Sequence, residues 1–473
     1  MSVQASASTD LLYQNAPRAR KKLRLRARVV HVLRPTIDIL ALGFATSVGM
    51  WAFGYIGHAP FASWPSAPFV GLMLLCVVAG GVVAGRNTRR GILGGILVGA
   101  FSAILNLLIL GSVIKDPDTG QIVPSHLLWI PASILFQAAL GGIGAGLGIF
   151  FPGRRNIYWK GVLATTFVIL TLLLITAGGL VTGFKAGLAV PDWPNSYGSN
   201  MLLYPLKSMI EHQGPTHKGI FYEHAHRLLG MFVGLCSMIG PIYLTIADRR
   251  KRVVIASWGL LIGVIVQGAV LGALRVIGNY NLSTDPADQH PSTALALAHG
   301  ITAHAILAGF VVLAVMCCRS YVRGGPAEER PSASTDRALA WLLACAVFTQ
   351  SFLGTFVRHY NQLVLLHVTV AALVAVFALA VGTRAWGSNP KQPILRRFGI
   401  AILGILLMQL TLGILALAFR TPDLPVPSPF TAIITTLHQA NAALLLATTV
   451  GLAMWTGRLV RMPSGGMAGE ASI

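Results

Sequence analysis

The sequence predicts an all-α integral membrane protein with about twelve transmembrane helices. Of its 473 residues, 54% are hydrophobic and only 11% are charged, whereas an ordinary soluble protein has about 25% charged residues. The mean hydropathy is +0.69. The apolar residues form continuous runs, unlike the alternating strands of a membrane β-barrel. These observations favour helices that cross a bilayer, and they exclude a disordered, coiled-coil or disulfide-stapled secreted chain.

The apolar runs define the individual helices, because about 20 residues are needed to cross the hydrocarbon of a bilayer. Strands would need shorter, alternating segments. The predicted spans are 37–57, 68–85, 91–113, 127–151, 161–183, 226–247, 253–277, 294–316, 338–357, 362–382, 398–418 and 431–456.

The positive charge predicts the orientation of these helices. The net charge is +21, which in a soluble protein would suggest a nucleic-acid partner. With the N-terminus inside, 28 of the 36 lysines and arginines lie on the inner side, beginning with the Arg18–Arg34 cluster. This distribution follows the positive-inside rule, so we expect both termini inside and no nucleic-acid partner.

The N-terminal tail and the cysteines indicate the compartment. The first 36 residues form a basic tail without the short apolar region of a secretory signal peptide. Asp10 favours a bacterial cytosolic tail over a mitochondrial transit peptide, so we expect the bacterial cytoplasmic membrane, with the mitochondrial inner membrane as the alternative. No outer loop contains a cysteine pair, and no structural disulfide is therefore expected.

Four histidines interrupt the apolar helices at a single predicted depth. His226, His299, His367 and His438 lie near the outer ends of the sixth, eighth, tenth and twelfth helices. Ionisable side chains inside a membrane are costly and usually functional. The remaining outer histidines are interpreted as solvated loop residues: His212, His217, His290 and His359.

The spacing of the four histidines indicates an internal duplication. His226 and His299 are 73 residues apart, and His367 and His438 are 71 apart. A glutamine lies between the members of each pair, at Gln267 or Gln409. We therefore predict two pseudo-symmetric four-helix bundles after a four-helix region of unknown function. The predicted parts are the tail 1–36, the region 37–160, the bundles 161–325 and 326–457, and the cytoplasmic tail 458–473.

Two imidazoles on opposite sides of a bundle suit axial ligation of a haem iron. A small residue lies one turn after each histidine and would leave room for a porphyrin, although small residues are abundant in this chain. The alternative is hydrogen bonding between helices. Zinc is disfavoured because no cysteine or carboxylate joins the set within the helices.

A carboxylate and several arginines lie at the same level. Glu223 precedes His226 by three residues and shares its face if the helix begins early enough. It is a candidate base or charge stabiliser, or else a helix N-terminal charge. Arg227 and Arg275 are candidate contacts for acidic groups such as haem propionates. Arg358 and Arg420 are interpreted as interfacial anchors, and loop 184–222 could limit access of water to a site.

These residues together resemble the haem A synthase family over about residues 161–456. The cysteine pair that some family members carry in the first outer loop is missing, and residues 1–160 fall outside the resemblance. The matching motifs are Ala186-Gly187-Leu188…Pro191-Asp192-Trp193-Pro194, Glu223-x-x-His226-Arg227, Gln267…Leu271-Gly272-Ala273-Leu274-Arg275, His299-Gly300, Gln350-x-x-Leu353-Gly354, His367, Gln409-x-x-Leu412-Gly413 and His438-Gln439.

The resemblance implies a function and a set of site residues. It implies that His367 and His438 hold a permanent haem b, while His226 and His299 hold the substrate haem O. The family oxidises a ring methyl of haem O to a formyl group, giving haem A for terminal oxidases. Glu223 matches the essential carboxylate of the family. Expected partners are the lipid bilayer, haem O synthase and terminal oxidase assembly factors, and a homo-oligomer remains open.

Two other functions stay open from the residues alone. A bis-histidine b-type cytochrome would carry electrons through two permanent haems and would not need Glu223. A transporter or assembly scaffold would need a polar path across the whole bilayer. The buried polar groups here gather at one end of the helices instead.

Overall fold

The computed structural model describes most of the chain between its two tails. The described residues are 36–60, 65–110, 114–116, 121–153, 156–204, 219–280, 292–420 and 428–463. The tail 1–35, the end of the C-terminal tail and three histidines interpreted as solvated lie outside them: His212, His217 and His290.

Twelve helices in the described residues are long and apolar enough to cross a membrane, which confirms the predicted all-α membrane class. Four of them precede the histidine-bearing part of the chain. They are α1 (Ile37–Gly57), α2 (Ser66–Asn87), α3 (Ile92–Leu110) and α4 (Trp129–Ile149), the last entered through a 3-10 turn over Pro124–Leu128.

The remaining helices form two sets of four spans. In the first set, one span is composite: α7 runs through a π-helical segment into α8. The first set is α5 (Trp159–Gly183), α6 (Ile220–Ala247), α7 (Lys251–Ile265) with the π-helical segment Val266–Gly272 and α8 (Ala273–Tyr280), and α9 (Thr293–Met316). After the short α10 (Arg319–Arg323), the second set is α11 (Ala333–Tyr360), α12 (Val364–Gly387), α13 (Pro393–Ala418) and α14 (Pro429–Leu459).

Two short strand pairs lie in the connections. β1 (Asn195–Ser196) pairs antiparallel with β2 (Ser199–Asn200) in the loop between α5 and α6. β3 (Glu328–Glu329) pairs in parallel with β4 (Val460–Arg461), which ties the connection before α11 to the end of α14.

Helices α2, α3 and α4 pack backbone to backbone through glycines. A side chain at Gly95 or Gly99 of α3 would strike the backbone of α4, and one at Gly144 or Gly148 would strike α2. Small residues at such spacing permit close helix approach in a membrane. Gly95 and Gly99, like Gly144 and Gly148, are four residues apart and so lie on one face of their helix.

Helix α1 joins this region to the first bundle. It packs against α5, and its aromatic residues meet α6, with the rings of Trp51 and Phe232 centred 4.8 Å apart. The indole of Trp51 also donates to Asn106 of α3 at 3.0 Å. Asn106 donates in turn to Gln137 of α4 at 3.1 Å. The buried side chains of Trp51, Asn106 and Gln137 thus satisfy one another, as a low-dielectric surrounding favours.

The two bundles meet along α5, α9, α11 and α14. Side chains from both fill the junction, including the fully buried Leu307 of α9 and Leu446 of α14. We call the end of the bundles that carries the four histidines the histidine end. At the opposite end, Lys160 and Arg250 both contact Asp248, at 3.2 and 2.8 Å, which fixes α5 to the α6–α7 turn.

Helix α6 begins earlier than the apolar pattern predicts. Its first residue is Ile220 rather than His226, because Phe221 and Tyr222 are buried and continue the helix. The earlier start meets the condition set by the sequence, since it places Glu223 and His226 one turn apart on one helix.

Candidate functional site

His226 of α6 and His299 of α9 face each other at the histidine end of the first bundle. Their ring centres are 6.3 Å apart, and the ring planes cross at 66°. Both Nδ1 atoms are buried, and within the described part of the chain neither has a hydrogen-bond partner. The predicted first pair is therefore brought together.

His367 of α12 and His438 of α14 repeat this arrangement in the second bundle. Their ring centres are 6.4 Å apart, with the planes at 86°. The two pairs agree in separation to within 0.1 Å, as expected if the bundles are duplicated units.

The separations fit two imidazoles on opposite sides of one metal ion. A metal–imidazole bond is about 2.0 Å long, and the ring centre lies roughly 1.1 Å beyond the nitrogen, so trans rings would be centred about 6.2 Å apart. Among the described residues, no group of three or more histidine, cysteine or carboxylate side chains gathers as a metal site. Two ligands alone suit a haem iron, whose other four ligands come from the porphyrin.

Three of the imidazoles rest against glycines on the preceding membrane helix. A Cβ at any of these glycines would lie within about 3 Å of the Cε1 atom of a histidine ring, closer than ordinary van der Waals contact. The glycines therefore set how far each ring reaches across its bundle. The pairs are Gly178 with His226 at 2.9 Å, Gly354 with His367 at 3.0 Å, and Gly413 with His438 at 2.9 Å.

Two glutamines contact the histidines of the second bundle. Gln350 places Nε2 at 2.9 Å from Nδ1 of His367 and donates to its backbone carbonyl at 2.8 Å. Gln409 places Nε2 at 3.2 Å from Nδ1 of His438, while its oxygen accepts from Asn441 at 2.8 Å. Such outer contacts orient a ligating imidazole and select its tautomer.

The corresponding glutamine of the first bundle is used differently. Gln267 donates to the backbone carbonyl of His299 at 2.6 Å, and its oxygen accepts from the hydroxyl of Thr302. Five positions separate Gln267 from Gly272, one more than in the two Gln-x-x-Leu-Gly motifs of the second bundle. The π-helical segment accommodates this extra residue. As a result, Gln267 holds the backbone of His299 rather than its ring.

Glu223 faces the loop between α5 and α6 and is only 3% exposed. One carboxylate oxygen accepts from the backbone N–H of Val190 at 2.9 Å. The other pairs with Arg227 at 2.7 Å. Both oxygens are thus engaged, and the carboxylate is fixed in place one turn before His226.

The predicted anion-binding arginines also hold this loop. Arg227 donates to the carbonyls of Asp192 at 2.6 Å and Val190 at 2.8 Å. Arg275 donates to the carbonyl of Gly187 at 2.9 Å. The contact of either arginine with a ligand stays a prediction.

The loop is further organised around Asp192 and His224. The carboxylate of Asp192 accepts from the backbone N–H groups of Tyr197 and Gly198, each at 2.7 Å. His224, two residues before His226 and therefore on another face of α6, lies 3.0 Å from the Ser196 hydroxyl. Burial, together with the nearby Asp192 charge, raises the pKa of the Tyr204 phenol in the same loop.

Arg358 corrects an expectation from the sequence. It was interpreted as an anchor at the membrane surface, but it lies between the bundles. It donates to the backbone carbonyl of Gly179 in α5 and to the side chain of Gln439 in α14, both at 2.6 Å. Gly179 follows Gly178, against which His226 packs, and Gln439 follows His438. Arg358 therefore connects the helices of the two sites. Arg420 contacts Asn361 at the exposed end of α13, in keeping with an anchor.

Sequence reasoning missed the glycines that seat the rings and the contacts of the glutamines. A signal was present, because Gln-x-x-Leu-Gly occurs twice and an expanded form occurs once. The helix partner of each motif can be identified only after the bundles are assembled. His359, interpreted as a solvated loop residue, lies in the last turn of α11.

The chain is similar to known proteins over much of its histidine-bearing part. The family model of the cytochrome oxidase assembly protein COX15-CtaA matches residues 161–367. A heme A synthase from Caulobacter sp. (strain K31) is 26% identical over 338 residues, covering 60% of this chain and 92% of that protein. A heme A synthase from Staphylococcus aureus (strain JH9) is 26% identical over 211 residues, or 44% of this chain and 60% of the relative.

The matches differ in how much they cover. The family model includes Glu223 and the first three histidines but ends before His438. The chain spans less than two thirds of the staphylococcal relative but nearly all of the Caulobacter one. No solved structure matches the chain.

Proposed function

We propose that this chain, which is similar to haem A synthases, oxidises a ring methyl group of haem O to a formyl group. The product, haem A, would serve terminal oxidase assembly. The observation that carries the proposal is the pair of facing histidines in each bundle, at 6.3 and 6.4 Å, with a buried carboxylate on only one of the four histidine helices.

The two sites are assigned different roles. We propose that His226 and His299 hold haem O as substrate, while His367 and His438 hold haem b as a permanent cofactor. Haem b, when bound, would relay electrons for the oxidation. Glu223 lies on the helix of the first pair, and this supports placing the substrate there.

Glu223 is proposed to stabilise positive charge that develops on the substrate methyl carbon. Both of its oxygens already accept hydrogen bonds, which favours an electrostatic role over that of a free base. Two successive oxidations of the same carbon would give a hydrated aldehyde, and loss of water would leave the formyl group. Arg227 and Arg275 are proposed to meet the propionates of the substrate when the loop rearranges around it.

The surroundings of the protein follow from the same proposal. A multi-pass membrane protein with a basic inner side suits the bacterial cytoplasmic membrane, with both termini in the cytoplasm. Haem O synthase would supply the substrate, and assembly factors of terminal oxidases would receive the product.

Expression of the full chain together with a haem O source, followed by chromatography of the extracted haems, tests the proposal. We expect haem A or its hydroxylated precursor from the wild type. Glu223→Gln should retain bound haem b and lose most of the product. Haem b without any oxidised haem from the wild type would instead identify an electron-carrying cytochrome and reject the synthase.

A further inference from the structure

Leu174 of α5 occupies the position that Gln350 holds in the second bundle. Leu174 lies four residues before Gly178, against which His226 packs. Gln350 lies four residues before Gly354, against which His367 packs. The two helix pairs, α5 with α6 and α11 with α12, therefore correspond, and the amide is replaced by an alkyl side chain at one of them.

The replacement leaves His226 without a side-chain partner. Its Nδ1 atom is buried and has no hydrogen bond within the described part of the chain. The backbone carbonyl of Leu174 lies close to the ring but outside hydrogen-bond geometry. At His367, by contrast, the Gln350 amide lies 2.9 Å from Nδ1.

The second histidine of each pair, His299 or His438, shows the same difference between the bundles. Gln409 brings its amide nitrogen to within 3.2 Å of the His438 ring. In the first bundle Gln267 binds the His299 backbone and Thr302 instead, and His299 Nδ1 is also buried without a partner. Both rings of the second pair are thus held by amides, and neither ring of the first pair is.

This difference bears on how firmly each pair can hold an iron. An imidazole that ligates through Nε2 carries a proton on Nδ1, and a partner for that proton fixes the ring and strengthens the ligand. A half-turn of the Gln350 amide would bring its acceptor oxygen to this proton, in exchange for the bond that Nε2 donates to the His367 carbonyl. The Gln350 oxygen is buried and free of other partners among the described residues. Loss of such outer partners weakens metal affinity about 10–100-fold.

We propose that haem bound to the first bundle is exchangeable because Leu174 offers no amide to His226. Haem bound to the second bundle is resident because the amides of Gln350 and Gln409 hold its two histidines. Leu174 and Gln350 are positioning residues that act through His226 and His367. The inference rests on the proposed function in one respect, namely that the first bundle receives a haem that must arrive and leave.

Transfer of haem b from the purified full chain to apomyoglobin measures the exchange, because haem absorption changes as it moves. We expect a fast and a slow phase. His226→Ala should remove the fast phase, and His367→Ala should remove the slow one. A single phase, or the opposite assignment of the two phases, would overturn the proposal.

Leu174→Gln should restore the missing amide and slow the fast phase about 10–100-fold. Leu173→Gln is its matched control, because it adds the same amide at nearly the same depth but about 100° around the helix. The control should leave the fast phase unchanged. Equal slowing by both variants, or no slowing by Leu174→Gln in a chain that elutes and melts like the wild type, contradicts the proposed role.

Gln350→Leu makes the reciprocal exchange and should accelerate the slow phase by a similar factor. Ser351→Ala is its control, since the Ser351 hydroxyl bonds only to its own helix at Val347. The release of haem b does not depend on the oxidation of haem O. Altered release without haem A formation would therefore reject only the proposed function, and haem A formation with unaltered release would reject only this inference.

Discussion

The carboxylate of Glu223 lies 2.7 Å from the guanidinium of Arg227, one turn along α6. The same two side chains bind both backbone groups of Val190, since Glu223 accepts from its N–H and Arg227 donates to its carbonyl. The ion pair therefore fastens the loop between α5 and α6 to the helix that carries His226. The position of this loop is thus tied to the helix of the first pair through Val190 and, by a further bond from Arg227, through Asp192.

Removing Arg227 is predicted to release the loop. Arg227→Met leaves Glu223 buried without its cation, and breaking one side of a buried pair costs about 3 kcal/mol or more. Hydrogen exchange at the Val190 amide should accelerate about 100-fold, since each tenfold change is about 1.4 kcal/mol. Arg227→Lys is the control, because it keeps a positive charge beside Glu223, and it should accelerate the exchange less than Arg227→Met. Unchanged exchange in Arg227→Met would mean that other contacts hold the loop.

A methyl group at Gly413 is predicted to displace His438. The added Cβ would lie 2.9 Å from the His438 ring, so the ring must shift. The 6.4 Å separation from the His367 ring would then change. Gly413→Ala should therefore lower the haem content of the purified protein to about half, with the low-spin absorption of the second site lost. Gly404→Ala in the same helix meets nothing within 4 Å and should retain full haem. Full haem content in Gly413→Ala would show that the ring does not need this seat.

Loss of the positive charge at Arg358 is predicted to lower the reduction potential of haem in the second site. Arg358 donates to the side chain of Gln439, the residue after His438. Its positive charge disfavours the oxidised iron, which is the more positive state. In Arg358→Gln we expect a fall of about 60 mV, which corresponds to about 1.4 kcal/mol for one electron. Arg358→Lys keeps the charge and should stay near the wild-type potential in a spectroelectrochemical titration. Equal shifts in both variants would assign the effect to packing instead.

Acid is predicted to loosen the opposite end of the first bundle. Burial by itself would raise the pKa of Asp248, but hydrogen bonds from Arg250 and the charge of Lys160 outweigh it and hold the pKa below its ordinary value. The stabilisation is thus complete above about pH 4 and is lost as the pH falls further toward the folded-state pKa.

Asp248→Asn tests this dependence. The free energy of unfolding of the variant at pH 7 should be about 2 kcal/mol lower than that of the wild type, because the variant loses hydrogen bonds to charged groups. Its difference from the wild type should shrink when melting is followed below about pH 4. A difference that stays constant down to pH 2 would exclude the carboxylate as its source.

Several features of the fold and site followed from local patterns. The twelve spans are confirmed because each needs only a run of apolar residues long enough to cross a bilayer. The pairing of His226 with His299 and of His367 with His438 followed from matched depth on alternate helices. The start of α6 was missed by six residues, because tertiary burial of Phe221 and Tyr222 extends the helix past its apolar run.

The membrane class, the number of spans and the four candidate ligands follow from the amino-acid pattern, because hydropathy and ionisable side chains act residue by residue. The groups that surround those ligands become known only when the helices are packed together. Arg358 connects the two bundles and is not a surface anchor. Leu174 corresponds in position to Gln350. Such relationships depend on helices far apart in the chain, whose relative rotation and depth are set by packing across the whole bundle.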